Sequence, residues 1–307
     1  MSSSPEKKKE KKLEEELPST PQPNPTPSLP DELLTSCIAR LSRLYYPTLS
    51  LVSKSFRSLL ASPELYKARS LSFRTESCLY LCLESSSDSR WFTLCRKPDK
   101  TETEDDKKKS TSYALWKLPS LHSPPAVFSG LVSVGSDIYN IRSSSNVSVL
   151  DCRFHTWRKA PSLPVELMAL SACAVDEKIY PHVATDDGVV CYNSQEGKWE
   201  LGEAKMGSFR FSDSYCEVEN VLYSVYDGML RWYDGEVNVW RSLEGLVGLP
   251  KFLPGVSVRF GEKKILCAEI ALERRGVWEI WGGVEWVEHV LTVPIGYYIV
   301  KALSAMV

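Results

Sequence analysis

Residues Met168–Trp199 read MALSACAVDEKIYPHVATDDGVVCYNSQEGKW. Short apolar runs alternate with polar turns: MALSACAV, the turn DEK, IYPHVA, a loop, VVCYN, the turn SQEG, and a fourth run opening at Trp199. Runs of this length, rich in β-branched and aromatic residues and bounded by Gly, Asp, Asn and Ser, are strand signals. The spacing predicts four consecutive strands, with no room between them for a crossover helix.

The pattern recurs on both sides. Trp116, Trp157, Trp199 and Trp240 are 41, 42 and 41 residues apart, and Trp286 follows after 46. Ahead of the last four stand Ile138-Tyr139, Ile179-Tyr180, Leu222-Tyr223 and Ile265-Leu266. The second member of each pair precedes its tryptophan by 18, 19, 17 and 20 residues. A fixed period of this length marks a repeat architecture, and four short strands per period make one blade of a β-propeller. The repeat tryptophans are expected to be largely buried, filling the wedge between neighbouring blades. The C-terminal GYYIVKALSAMV is strand-forming and is expected to complete the first blade, closing the ring. The charged run Asp99–Lys109, DKTETEDDKKK, interrupts the first unit between RWFTLCRKP and YALWKLPSL and reads as a surface insertion.

Upstream, Leu29–Tyr66 reads LPDELLTSCIARLSRLYYPTLSLVSKSFRSLLASPELY. Here the period changes to that of a helix. Pro30 suits a first turn, where its missing N–H leaves nothing unpaired. Asp31 and Glu32 then sit at the positive end of the helix dipole. Leu34, Ile38 and Leu41 form one apolar stripe. A second helix is expected from Pro47, with Leu49, Val52, Phe56 and Leu59 on one face. Ser62-Pro63-Glu64 combines a cap, a first-turn proline and an N-terminal acid, and opens a third. A segment this short buries little apolar surface alone and is expected to finish its core against the neighbouring domain.

The LPDELL start, the YPTLSLVSKSFRSLL middle and the SPELY end together resemble the F-box. The IY…V-L-D…T-W-R…P-S-L-P pattern of the second unit is similar to the kelch repeat. From Leu29 to the C-terminus the chain therefore resembles plant-type F-box/kelch-repeat proteins. The resemblance implies an all-β kelch-type β-propeller preceded by a small α-helical F-box. Five blades follow from the tryptophans and six from the family pattern. The implied boundaries are 1–28 for a charged, proline-rich tail, 29–70 for the F-box and 77–307 for the propeller. The resemblance also implies a non-catalytic substrate-recognition subunit of an SCF (Skp–cullin–F-box) ubiquitin ligase. Its F-box would dock on a Skp-type adaptor, and through it a cullin, while the propeller binds a target protein. The alternative is a kelch interaction scaffold without degradative output. By position, Leu29, Pro30, Leu33, Ile38, Leu49, Val52, Ser53 and Phe56 match the family's adaptor-binding or core residues. The double glycine that ends strand two in standard kelch repeats is missing. Ile141-Arg142, His182-Val183, Val225-Tyr226 and Glu269-Ile270 stand there instead, so the repeats are degenerate.

Composition narrows the classes further. The 307 residues carry 37 basic and 39 acidic side chains, a net charge of −2, which argues against a nucleic-acid surface. No apolar run approaches the roughly 20 residues that span a bilayer, so no membrane partner is expected. The opening MSSSPEKKKEKK has no apolar core and does not read as a secretory signal. Nine cysteines, an odd count without paired spacing, fit reduced thiols in the cytoplasm or nucleus. Met1–Ser28 is low in complexity and is expected to stay a solvated tail.

No residue constellation points to catalysis, a cofactor or a metal. There is no Gly-rich phosphate loop. Cys78 and Cys82 have no second ligand pair for zinc. His122, His155, His182 and His289 are isolated, which speaks against the copper radical oxidase known on the kelch fold, with its paired His and paired Tyr. Function is expected to reside in surfaces. Target-binding residues are expected on the loops joining strands two and three: Arg142, Asp186, Asp187, Tyr226, Asp227, Arg274 and Arg275. Glu166, Lys205, Arg210 and Lys251 extend the set on the loops entering each blade. Variable loops on a rigid scaffold carry recognition, and mixed charge with an aromatic anchor suits a protein partner.

Overall fold

Pro30 is extended (φ −53°, ψ 139°) and hands over to helix α1, Asp31–Ala39, whose first turn carries Asp31 and Glu32. A 3-10 turn at Arg43–Tyr45 leads into the short α2, Tyr46–Leu49, with proline in its first turn. Then follow α3, Lys54–Leu60, and α4, Pro63–Leu71. Ser62 caps α4 by accepting from Leu65 N at 3.3 Å. The expected single helix from Pro47 is broken in two. Ser53 is extended (φ −159°, ψ 167°), and its hydroxyl accepts from Phe56 N at 3.1 Å, starting a new helix. Ile38, Ala39, Tyr46, Leu60 and Leu65 form the core of this module.

The computed structural model describes residues 29–86, 88–97, 112–119, 123–126, 128–142, 146–163, 171–175, 178–182, 189–202, 215–218, 221–226, 228–250 and 261–307. The expectations for Met1–Ser28, for the Asp99–Lys109 insertion, and for Glu166, Asp186, Asp187, Lys205, Arg210, Asp227 and Lys251 lie outside these residues.

Among the described residues, the chain beyond α4 forms five antiparallel sheets. The first contains β1 (Ser77–Ser85), β2 (Asp88–Arg96) and β3 (Tyr113–Lys117). The second is β4 (Leu131–Val134), β5 (Asp137–Ile141), β6 (Val147–Asp151) and β7 (Thr156–Ala160). The third is β8 (Ser171–Val175), β9 (Lys178–His182), β10 (Val189–Asn193) and β11 (Lys198–Gly202). These last four are the strands expected from the opening stretch. The fourth is β12 (Tyr215–Val218), β13 (Val221–Tyr226), β14 (Met229–Asp234) and β15 (Val239–Ser242). The fifth is a long hairpin of β16 (Glu262–Arg274) and β17 (Ile280–Pro294), with register breaks at Ile265/Leu266 and Glu269/Ile270. The C-terminal β18, Tyr298–Met306, joins the first sheet and pairs with β1 from Ser77 opposite Met306 to Glu84 opposite Tyr298. The last strand thus completes the first sheet as its inner edge. Neighbouring sheets touch through β17 and β3, β18 and β4, and β4 and β8. A parallel bridge between Glu244 and Trp281 ties the fourth sheet to the hairpin.

The apolar–Tyr pairs are the core landmarks. They lie on the second strands, where Ile138, Tyr139, Ile179 and Tyr223 are buried. The tryptophans behave differently from the expectation. Trp116 is 41% exposed and Trp240 39% exposed, while Trp157 and Trp199 are half-buried. All four stand on the fourth strand of their sheet, opposite Thr93, Leu150, Tyr192 and Tyr233. That strand is an edge of its sheet, with a hydrogen-bonded neighbour on one side only. The buried indoles are Trp91 and Trp232, on the third strands β2 and β14. The repeat rings instead clasp adjacent sheets. Trp157 meets Trp91 edge-on at 5.8 Å, and Trp199 Nε1 donates to Pro161 O at 3.1 Å. The fifth repeat also departs from the pattern. Among the described residues it has two strands, and Trp286 sits on the second of them.

Trp232→Ala should lower stability by about 3–5 kcal/mol, as large core truncations do. Trp240→Ala, at the outer edge, should cost about 1 kcal/mol. Urea unfolding of both variants measures the contrast, and equal losses would contradict this assignment of core and edge.

Candidate functional site: two surfaces and a seam

The helical module leaves several large aliphatic side chains open. Leu29, Leu33, Leu51 and Val52 are between 54% and 63% exposed, and Pro30 lies beside Leu29 on the surface. Large aliphatic side chains at this exposure mark an interaction face. The other sequence-matched positions serve the module itself. Ile38 is buried in its core and presents nothing outward, because it ends the α1 stripe that faces α4. Leu49 and Phe56 are partly buried against the same core. Ser53 is the α3 cap. Leu51 escaped sequence reading because it lies off the expected stripe. It turns outward only because the chain breaks between α2 and α3.

A polar seam joins the helices to the sheets. Arg69, 2% exposed, donates from Nη1 to Leu41 O at 2.7 Å and to the Tyr46 hydroxyl at 3.1 Å. Its Nη2 reaches Arg74 O at 2.6 Å and Glu76 Oε1 at 2.9 Å. Glu76 also accepts from the Ser42 hydroxyl at 2.8 Å and from Arg43 N. Its own backbone pairs reciprocally with Val307, both bonds at 2.9 Å. Arg43 Nη2 donates to Cys152 O at 3.1 Å, and the Tyr80 hydroxyl donates to the same carbonyl at 2.8 Å. Tyr66 meets Phe154 edge-on at 5.1 Å.

Burial sets the titration of this seam. His155, in the left-handed region at φ 56°, has its imidazole pushed down to about 3 by burial and then by the Arg43 charge. Burial raises the Tyr66 phenol to about 12 and the Cys82 thiol to about 12, and also raises Cys152. These cysteines are protonated thiols at neutral pH, the inert state. Among the described residues, no cluster of three or more His, Cys, Asp or Glu side chains has the geometry to hold a metal ion.

The seam lies at one end of the sheets. Cys152–His155 is the turn between the third and fourth strands of the second sheet, and the Gly135–Ser136 turn joins its first and second strands. The loop between the second and third strands lies at the opposite end, closed by Arg142 N donating to Asn146 O at 3.1 Å. Arg142 is half-buried there. Arg274 and Arg275 are not the free loop cations expected. Arg274 ends β16 and lies over the Trp232 ring at 5.5 Å. Arg275 stacks on Trp281 at 4.2 Å and bonds Glu273 at 2.9 Å. A guanidinium on a desolvated ring gains cation–π attraction, which holds both side chains to the fold. Tyr226 ends β13.

A small helical module packed against a series of four-stranded antiparallel sheets defines a class, and comparison with known proteins agrees with it. The F-box domain model matches residues 27–68, and the FKB95, Kelch-repeats domain model matches residues 91–180 and 181–291. Three F-box/kelch-repeat proteins of Arabidopsis thaliana are among the similar relatives. One is 52% identical over 322 residues, covering 92% of this chain and 94% of the relative. A second is 45% identical, covering 91% and 99%. A third is 43% identical over 392 residues, covering 99% and 100%. The chain belongs to the F-box/kelch-repeat family. That third alignment is longer than the 307 residues of this chain, so the relative carries internal residues with no counterpart here.

His155 makes the seam acid-sensitive. Its folded pKa lies below the unfolded value of about 6.5, so between roughly pH 6.5 and 3 only the unfolded chain takes the proton. Stability is therefore lost as pH falls, by about 1.4 kcal/mol per unit from this group. His155→Asn, which tolerates the left-handed backbone, should flatten that slope in urea titrations repeated across the window. An unchanged slope would contradict it.

Proposed function

We propose that this protein is a substrate-recognition subunit of an SCF ubiquitin ligase, acting in the cytoplasm or nucleus. The observation that carries the reading is the open aliphatic face of Leu29, Leu33, Leu51 and Val52. F-box domains as a class bind Skp-type adaptors, and F-box/kelch proteins are typically non-catalytic adaptors. An aliphatic face of this kind is the natural complement of such a partner, which brings the cullin with it. The kelch sheets then hold the target protein. Their second-to-third-strand loops, with Arg142 and Tyr226, lie at the end away from the seam. A target held there has an orientation relative to the adaptor that depends on the seam, and the gain is effective concentration of its lysines.

The same reading treats the sheets as blades of one propeller. The β18–β1 pairing supports closure, since joining the last strand to the first sheet is how such rings shut. Five sheets support five blades, with the β16–β17 hairpin as a reduced fifth.

Leu33→Asp with Val52→Asp should lower adaptor capture at least about tenfold, since charge at an interface core is poorly tolerated. Thermal melting should stay close to that of the parent, because both side chains are exposed. Undiminished capture would sink the adaptor role. Arg142→Glu with Tyr226→Ala should reduce target recovery while adaptor capture persists. Accumulation of that target on proteasome block supports degradation, whereas unchanged turnover favours a scaffold.

A further inference from the structure

A cavity of about 730 Å³ opens where the F-box helices meet the first sheet and the β16–β17 hairpin. Of the residues in the surfaces proposed above, Leu51 alone also lines it. Its volume falls in the range of small-molecule sites. One wall is aromatic. Tyr113 and Trp286 stack at 4.4 Å with their planes 13° apart, and Trp116, which alternates to the other face of β3 and is 41% exposed, also lines the cavity. Phe154 lines the cavity as well.

The charge around this wall does not balance. Arg43, Arg57 and Arg153 line the cavity with Glu76 and Glu269. Glu76 is engaged by Arg69, and Glu269 accepts from Trp286 Nε1. Arg153 is paired with Asp151 at 2.7 Å. Arg43 and Arg57 have no carboxylate partner among the described residues. Among the described residues Arg57 bonds the Ser50 carbonyl, from Nε at 3.3 Å, and its side chain is exposed. Arg43 is buried between the rings of Tyr46 and Tyr66, at 5.6 and 5.2 Å, and its Nη1 has no hydrogen-bond partner among the described residues. A buried, unpaired guanidinium raises the potential of the adjoining concave space. A reachable one at the mouth can form a bidentate contact.

We propose that this cavity binds a small aromatic acid, its ring against the aromatic side chains that line it and its carboxylate at Arg57. Arg43 contributes field rather than contact, because it is 8% exposed and its Nη2 already donates to Cys152 O. The site adjoins both the F-box and the sheets, so an occupant would touch α3, β3 and the hairpin together. This inference is independent of the ligase assignment.

The test uses the full chain with two probes, 2-naphthoate and the neutral 2-naphthalenemethanol, titrated by calorimetry. The acid should bind saturably at one site and about tenfold more tightly than the alcohol, the contribution of one charge-assisted contact. Arg57→Gln should abolish that preference and leave alcohol binding in place. Trp116→Ala should weaken both probes. Both substituted side chains are exposed, and melting curves check that the variants fold. Equal affinity for acid and alcohol, absence of saturable binding by the acid, or an Arg57→Gln variant that keeps the preference would each overturn the proposal.

Discussion

The carboxylate of Glu76 is the point on which the two halves of the molecule turn. It takes the Arg69 guanidinium, the Ser42 hydroxyl and the Arg43 amide, while its backbone exchanges two hydrogen bonds with Val307. One residue therefore binds the helices, the first sheet strand and the chain's last residue. A guanidinium as deeply buried as Arg69 is costly to desolvate, and it is tolerated because carbonyls, a phenol and a carboxylate surround it. Removing any of those acceptors leaves part of a buried charge unanswered. The helices cannot pivot on the sheets without doing so, and this gives the seam its stiffness.

The sheets depend on a different principle. Four are small four-stranded antiparallel sheets and the fifth is a two-stranded hairpin, and none buries much alone. Their cohesion comes from aromatic rings that cross between them: Trp91 with Trp157, Tyr139 with Tyr192 at 5.5 Å, Tyr113 with Trp286. The fourth sheet and the hairpin use cation–π contacts as well, with Arg241 over Trp278 at 4.8 Å and Arg274 over Trp232 at 5.5 Å. Gly245 records how close these parts come. It adopts φ +82°, and a Cβ there would fall 2.1 Å from the Trp281 ring. Charged residues that a sequence places in loops are in this way drawn onto ring faces.

Seam and sheets together explain why binding surfaces can sit at opposite ends of the molecule. The aliphatic face belongs to helices anchored at the third-to-fourth-strand turns, and the second-to-third-strand loops emerge at the other end. A ligand-sized space opens where the helical module meets the first sheet and the hairpin. That junction is the one place where aromatic wall and unpaired cations coincide among the described residues.

The sequence by itself determined whatever repeats or caps locally. Ser62 starts α4, Pro30 precedes α1, and the Ile-Tyr pairs fall on buried second strands, because a cap or a strand period depends on residues a few positions apart. The strands of residues 171–202 could be read for the same reason. Only the tertiary structure decided which apolar residues face solvent. The tryptophan period was visible, but its place on an outer edge strand was not, since an edge is defined by the absence of a neighbour. Leu51 and Val52 point outward because Ser53 breaks a helix that the apolar spacing continues. Arg43 meets Cys152 across 109 positions, and Ser77 meets Ser304 across 227. Contacts at such separations are selected by packing and burial of the whole chain, and no local pattern encodes them.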